Sequence, residues 1–362
     1  MNHHGSSHGY TTFRGRTRRL MLGLAAIASM VLGMAGVGAG AVAADTVIDT
    51  IPVGTRPNGV AATPDGSHVY VAINGDDEVA VIETAGNTVV DTITVGDGPF
   101  GMAISPDGSR AYAVNSLDNS VSVINTGTNS VVDTIGVGLV PLWAAVSPDG
   151  SRLYVTNNLG DSVSVINTGT NMLVTTIPVG DGAREVAVSP DGSRVYVTNT
   201  FGDSVSVINT GTNMVVDTIT VGDVPIGVAV SPNGSRVYVT NQADGTVSVI
   251  AAGTNMVVDT VAVGTNAHGV AVNPKGSRVY ATNLGDGTVS VIRTIGNTVI
   301  ETVPVGVGPF GIAITPDGSR AYVTNFIANT VSVIAIDKCL GSLCIDFGSL
   351  TGSGSGAGST FS

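Results

Sequence analysis

Four side chains able to do chemistry or to anchor a partner break an otherwise repetitive chain: Trp143, Arg184, Glu185 and His268. They fall in two adjacent columns that recur every 42 residues. One column reads Gly59, Gly101, Trp143, Glu185, Gly227, Gly269 and Gly311. The column before it reads Asn58, Phe100, Leu142, Arg184, Ile226, His268 and Phe310. Histidine and glutamate gathered at one place can act as acid and base. Tryptophan and arginine are the residue types most often found anchoring an interface, which makes the same group a ligand-binding candidate. A third reading is a plug, with Trp143 filling a central channel and Arg184 and Glu185 paired locally.

Other chemistries are excluded or weakly supported. Beyond the first 44 residues the histidines are His68 and His268, too few for a multi-histidine copper or zinc centre. No C-x-x-C-H haem site and no G-x-S-x-G nucleophile motif occurs. A single tryptophan argues against a sandwiched quinone. No cofactor is therefore expected. The acids Asp76, Asp77, Glu78, Asp118, Asp161, Asp203, Asp244 and Asp286 suit calcium, but no loop has a recognised calcium spacing, and solvated loop tips are the alternative. The column His68, Arg110, Arg152, Arg194, Arg236, Arg278 and Arg320 forms a basic ring whose expected role is pairing with the acid of its own turn.

The elements that must position these residues are read from the repeat. A Pro-Asp-Gly-Ser-Arg turn places glycine at Gly66, Gly108, Gly150, Gly192, Gly234, Gly276 and Gly318, each step being 42 residues. A fixed period near 40 marks a repeat fold whose units bury their apolar faces against one another. Each unit predicts four short strands, in the fourth unit Glu185 to Ser189, Ser193 to Asn199, Ser204 to Asn209 and Met214 to Gly222. Proline and glycine suit the first turn, and Asn-Thr-Gly-Thr-Asn makes the third. Seven such units over 45–338 predict an all-β, seven-bladed β-propeller with four antiparallel strands per blade. The last unit lacks a fourth strand. The segment from Thr46 to Gly54 matches Thr298 to Gly306 and is expected to complete it, removing open sheet edges.

In such a ring the loops after the first and third strands share one face, and those after the second and fourth share the other, the top. The bottom loops are near copies and the top loops differ in every blade. Diversity suggests a recognition surface, with simple drift as the alternative. The two columns open the innermost strands, so Asn58, Trp143, Arg184, Glu185 and His268 are expected at one mouth of the channel.

The flanks differ in kind. Residues 1–43 carry Arg14, Arg16, Arg18 and Arg19, then an apolar run from Leu20 to Val42 and the small-residue site Ala41-Val42-Ala43, as in a secretory signal peptide. An uncleaved anchor is the alternative. Without this leader the chain has 11 basic and 27 acidic residues, a net charge of −16, which argues against nucleic acid as a partner. Cys339 and Cys344 are expected to form a disulfide in an exported chain, and 339–362 reads as a Cys-containing, Gly/Ser-rich flexible tail.

The segments Val-Tyr-Val-Thr-Asn at 195–199 and 237–241, together with Gly-Val-Ala-Val-Ser-Pro, Val-Ser-Val-Ile and Asn-Met-Val-Val-Asp-Thr-Ile, resemble the YVTN family of seven-bladed propellers. The resemblance covers all seven repeats. It implies an extracytoplasmic propeller, of the secreted bacterial or archaeal surface-layer kind, and a binding or structural module without a transferable catalytic motif. The expected function is a secreted or envelope-associated binding scaffold acting through its top face. The expected ligand site is Asn58, Phe100, Trp143, Arg184, Glu185, His268 and Phe310. Its partner would be a protein or an envelope component, and the mature chain would be a monomer without a membrane span. The rivals are a propeller lyase or lactone hydrolase using the channel mouth, and a surface-coat protein.

Overall fold

The computed structural model describes residues 44–336. The expected leader, the tail and the Cys339–Cys344 pairing lie outside the described residues. Within them, 28 strands form seven four-stranded antiparallel sheets arranged as the blades of a propeller. In the fourth blade the strands are Ala183–Val188, Arg194–Asn199, Ser204–Asn209 and Met214–Thr220. The first strand thus begins two residues before the sequence boundary, because Ala183 still pairs with Asn199.

Closure follows the expected scheme. Thr46–Pro52 pairs with Thr330–Ala335, which pairs with Arg320–Asn325 and that with Pro309–Ile314. Asp45 clasps this seam. Its buried carboxylate takes Arg278 Nη1 at 3.1 Å and the Tyr280 hydroxyl at 2.8 Å, both from the preceding blade.

The core lies between blades rather than inside them. Seven apolar clusters each join residues of two consecutive sheets, as where Val60, Val69 and Val71 meet Tyr322, Val331 and Val333. A one-sided sheet can bury its face only against the next, so no blade is complete alone. The recurrent tetrapeptide has a division of labour, seen in Tyr322-Val323-Thr324-Asn325. The Tyr322 hydroxyl donates to Asn87 Oδ1 in the next blade at 3.0 Å. Val323 is fully buried. The Thr324 hydroxyl donates to the Asn58 carbonyl of the next blade at 2.6 Å and receives the Gly311 N–H of its own at 2.8 Å. Asn325 Nδ2 donates to the hydroxyls of Thr330 and Ser332 at 3.0 and 2.9 Å.

The basic column behaves differently from expectation. Arg110, Arg194 and Arg320 reach across to the next blade, where Nη1 donates to the carbonyls of Thr168, Ala252 and Thr84 and to Asn171, Asn255 and Asn87. The turn acids are engaged elsewhere. Asp107, for example, accepts from the Ser105 hydroxyl at 2.5 Å and the Ser109 N–H at 3.0 Å, which holds its carboxyl down at about 2. The long guanidinium stem spans a blade junction that the short carboxylate cannot.

Candidate functional site

Every innermost strand carries a β-bulge at the two columns. Register slips between Ala183 and Val186 in the fourth blade, and at the matching residues of the other six. A bulge frees two residues from strict pairing and re-aims their side chains. The glycines are needed there for close approach. A Cβ on Gly59 would fall 2.6 Å from the Phe100 carbonyl oxygen, and one on Gly311 equally close to that of Asn58.

Threonines hold this ring of backbones. Thr156 Oγ1 receives the Trp143 N–H at 3.0 Å and donates to the Arg184 carbonyl at 2.6 Å. Thr198 links the Glu185 N–H to the Ile226 carbonyl in the same way, and Thr240 links the Gly227 N–H to the His268 carbonyl. Ala72 and Val114 occupy this position in the first two blades, so those junctions lack the link.

The side chains of the first column converge. Arg184 reaches from the fourth blade to the sixth, where Nη2 lies 3.2 Å from His268 Nε2. Its guanidinium also lies over the Phe100 ring, 5.8 Å from the centroid. His268 lies tilted against Phe310 with ring centroids 3.7 Å apart, and Phe310 meets Phe100 edge-on at 5.5 Å. Half-buried Trp143 completes the aromatic group, edge-on to Phe100 at 6.1 Å. Buried Asn58 holds its place through its carbonyl, while its Oδ1 has no partner. Phe326, which the sequence did not single out, stacks on Phe310 at 5.8 Å.

Burial dominates the electrostatics. It pushes the Glu185 carboxyl up to about 8, against the opposing pull of Arg184 and of the nearby Val228 backbone. Burial and then the Arg184 charge hold His268 well below the usual imidazole range, so it is neutral. Its Nδ1 approaches the Phe310 backbone but falls short of hydrogen-bonding geometry. Burial lowers Arg184 as well, with Glu185 opposing. Glu185 and His268 share no hydrogen bond. The mouth therefore brings together Phe100, Trp143, Arg184, His268 and Phe310 as one packed group, with Asn58 buried in the same column and Glu185 turned toward the next strand. No group of three or more His, Cys, Asp or Glu able to hold a metal occurs among the described residues.

The top-face acids have a structural role that the sequence reading missed. Asp77, Asp161 and Asp203 adopt positive φ and accept the backbone N–H of Gly98, Gly182 and Val224 at 2.7–2.9 Å. Asp76, Asp118, Asp244 and Asp286 accept from Thr55, Asp97, Asp223 and Thr265. The constant separation of 21 residues was the available signal. Two bottom-face grooves, of about 240 and 500 Å³, are lined by Arg320 with Asp65 and by Arg110 with Asp149. Both arginines are already bound to the neighbouring blade.

A family profile described as "Lactonase, 7-bladed beta-propeller" matches residues 53–210, 141–262 and 257–345. No curated protein matches the chain. Among solved structures, Kuenenia stuttgartiensis hydrazine synthase aligns with a TM-score of 0.72 at 24% identity, over 78% of this chain and 96% of that one. At that identity the likeness concerns the fold.

Proposed function

The chain belongs to the seven-bladed lactonase-type propeller family, and on that premise we propose that it is a binding scaffold that presents its top face to a partner. The observation that carries the reading is the engagement of the mouth's reactive groups with one another. Arg184 closes onto His268, and Trp143, Phe100 and Phe310 pack as one unit. Such a group makes a rigid floor from which the variable loops project, with half-buried Trp143 as an anchor. The YVTN-like repeats and the basic-then-apolar leader support an extracytoplasmic, envelope-associated location. Hydroxyl-radical footprinting of the full chain with and without envelope extract tests this. Protection is expected at Trp143 and the top loops, and protection confined to the bottom turns would overturn it.

Family membership favours a second reading, a lyase or lactone hydrolase at the mouth. Neutral His268 would be the base and Arg184 the group facing a developing negative charge, while Glu185, turned toward the next strand, stands outside the reacting group. Acid release from a panel of lactones, read with wild type and His268→Gln, decides it. Turnover lost in the variant would establish the enzyme.

A further inference from the structure

Large apolar side chains stand exposed on the top loops of three consecutive blades. Leu117, Leu139, Leu159 and Phe201 are 74%, 59%, 64% and 69% exposed. Asn119 and Asp161 set them in order along one arc, their side chains accepting the Val140 and Gly182 N–H of the loop that leads into the next blade. The Leu117 N–H donates to the Asp97 carbonyl and the Phe201 N–H to that of Asp181, at 3.2 and 3.1 Å. Leu139 and Leu159 hold the equivalent places in the blade between, so an apolar centre is flanked by two exposed acids. A monomeric surface has no folding reason to expose four such side chains in sequence.

The charge of this end selects the occupant. Among the basic residues of 44–336, only Arg56 and half-buried Arg184 stand at the top, whereas Arg110, Arg152, Arg194, Arg236, Arg278 and Arg320 stand at the bottom. The top also carries the acids of both loop columns. A field of that sign attracts cations and repels anionic lipid. We propose that the arc from Leu117 to Phe201 docks a cationic amphipathic segment of a partner protein, its apolar residues against the leucines and Phe201 and its basic residues against Asp97 and Asp181. This rests on the top-face reading above and adds the location and the chemistry of the partner.

The probe is a fluorescent leucine–lysine peptide of roughly 18 residues, long enough for about five helical turns, titrated by anisotropy against the full chain. Saturable binding is expected. It should weaken at least tenfold in Leu159→Ser/Phe201→Ser, at least tenfold for a peptide with serine in place of leucine, and clearly with added salt. Leu117→Ser/Leu139→Ser repeats the test at independent positions. Ile295→Ser on the bottom face should change nothing. Trp143→Gly is measured beside them, because it reports on the mouth and not on the arc. No binding by wild type, equal binding by both double variants, or preference for anionic phosphatidylserine vesicles overturns the arc. Loss in Trp143→Gly with both double variants unaffected would also overturn the arc, yet leave the mouth-centred reading standing.

Discussion

Glu185 is the residue whose charge the fold controls most strongly. Its carboxyl ordinarily titrates at 4.5 and in the folded chain at about 8. Between those values the unfolded chain releases a proton that the folded chain keeps, so this group's contribution to stability falls as pH rises through the window and is level above it. His268 acts in the opposite direction. Below 6.5 the unfolded imidazole takes a proton that the buried one refuses, so stability falls as pH falls. Glu185→Gln is therefore expected to leave the melting temperature at pH 5 nearly unchanged and to raise it by several degrees at pH 8.5. Melting curves across pH check this, and an equal shift at both values would place the cause in packing. The exposed turn acids Asp65, Asp107, Asp149, Asp191 and Asp317, held at about 2, add stability that is lost only as pH falls from near 4 toward 2, muted by solvent.

At the scale of the strand, one junction is incomplete. On the fourth strand of most blades an aspartate accepts from an asparagine amide of the next blade, as Asp133 does from Asn171 at 2.8 Å. That contact orients the amide, whose Oδ1 then receives Arg110. In the third blade the aspartate is Thr175. There Asn213 Oδ1 and Arg152 Nη1 are both buried without partners. Thr175→Asp should restore the chain and stabilise the protein by about 1 kcal/mol, and chemical denaturation reads it; no gain would mean the junction relaxes by another route. Thr240→Val should do the reverse, costing about 1–3 kcal/mol by leaving the Gly227 N–H and the His268 carbonyl unpaired. Blade number, strand order and closure were legible because turn chemistry and alternation repeat without slippage. The convergence on the mouth was legible as a broken glycine column. The bulges and threonine links were not. Alanine, valine and threonine suit a strand equally well, so Thr156 or Thr198 looks like another β-branched residue until the next blade's carbonyl is in place. The reach of Arg110 and the capping by Asp77 were hidden for the same reason, since both act between segments distant in sequence.

The whole molecule depends on one seam. Asp45 is buried between Arg278 and Tyr280, and the strand it leads closes the ring. Asp45→Ala removes the buried carboxylate that Arg278 and the buried Tyr280 hydroxyl share and should cost about 3 kcal/mol. Deletion through Gly54 should cost far more, because it exposes the edge of the last blade, and a monomer melting within a few degrees of the parent would refute the closure. The ring separates its two faces chemically. The bottom is bound up in repeated arginine and turn contacts, and the top is acidic, apolar and different in every blade. Retention of envelope-fraction proteins on the immobilised full chain tests that division most directly, comparing wild type with Trp143→Gly and Arg236→Ala at matched folded fraction. The predicted result is a retained protein that is lost with Trp143→Gly, by about 2 kcal/mol or more in affinity, and kept with Arg236→Ala. Retention that survives Trp143→Gly and fails with Arg236→Ala would contradict the assignment of the top as the binding face.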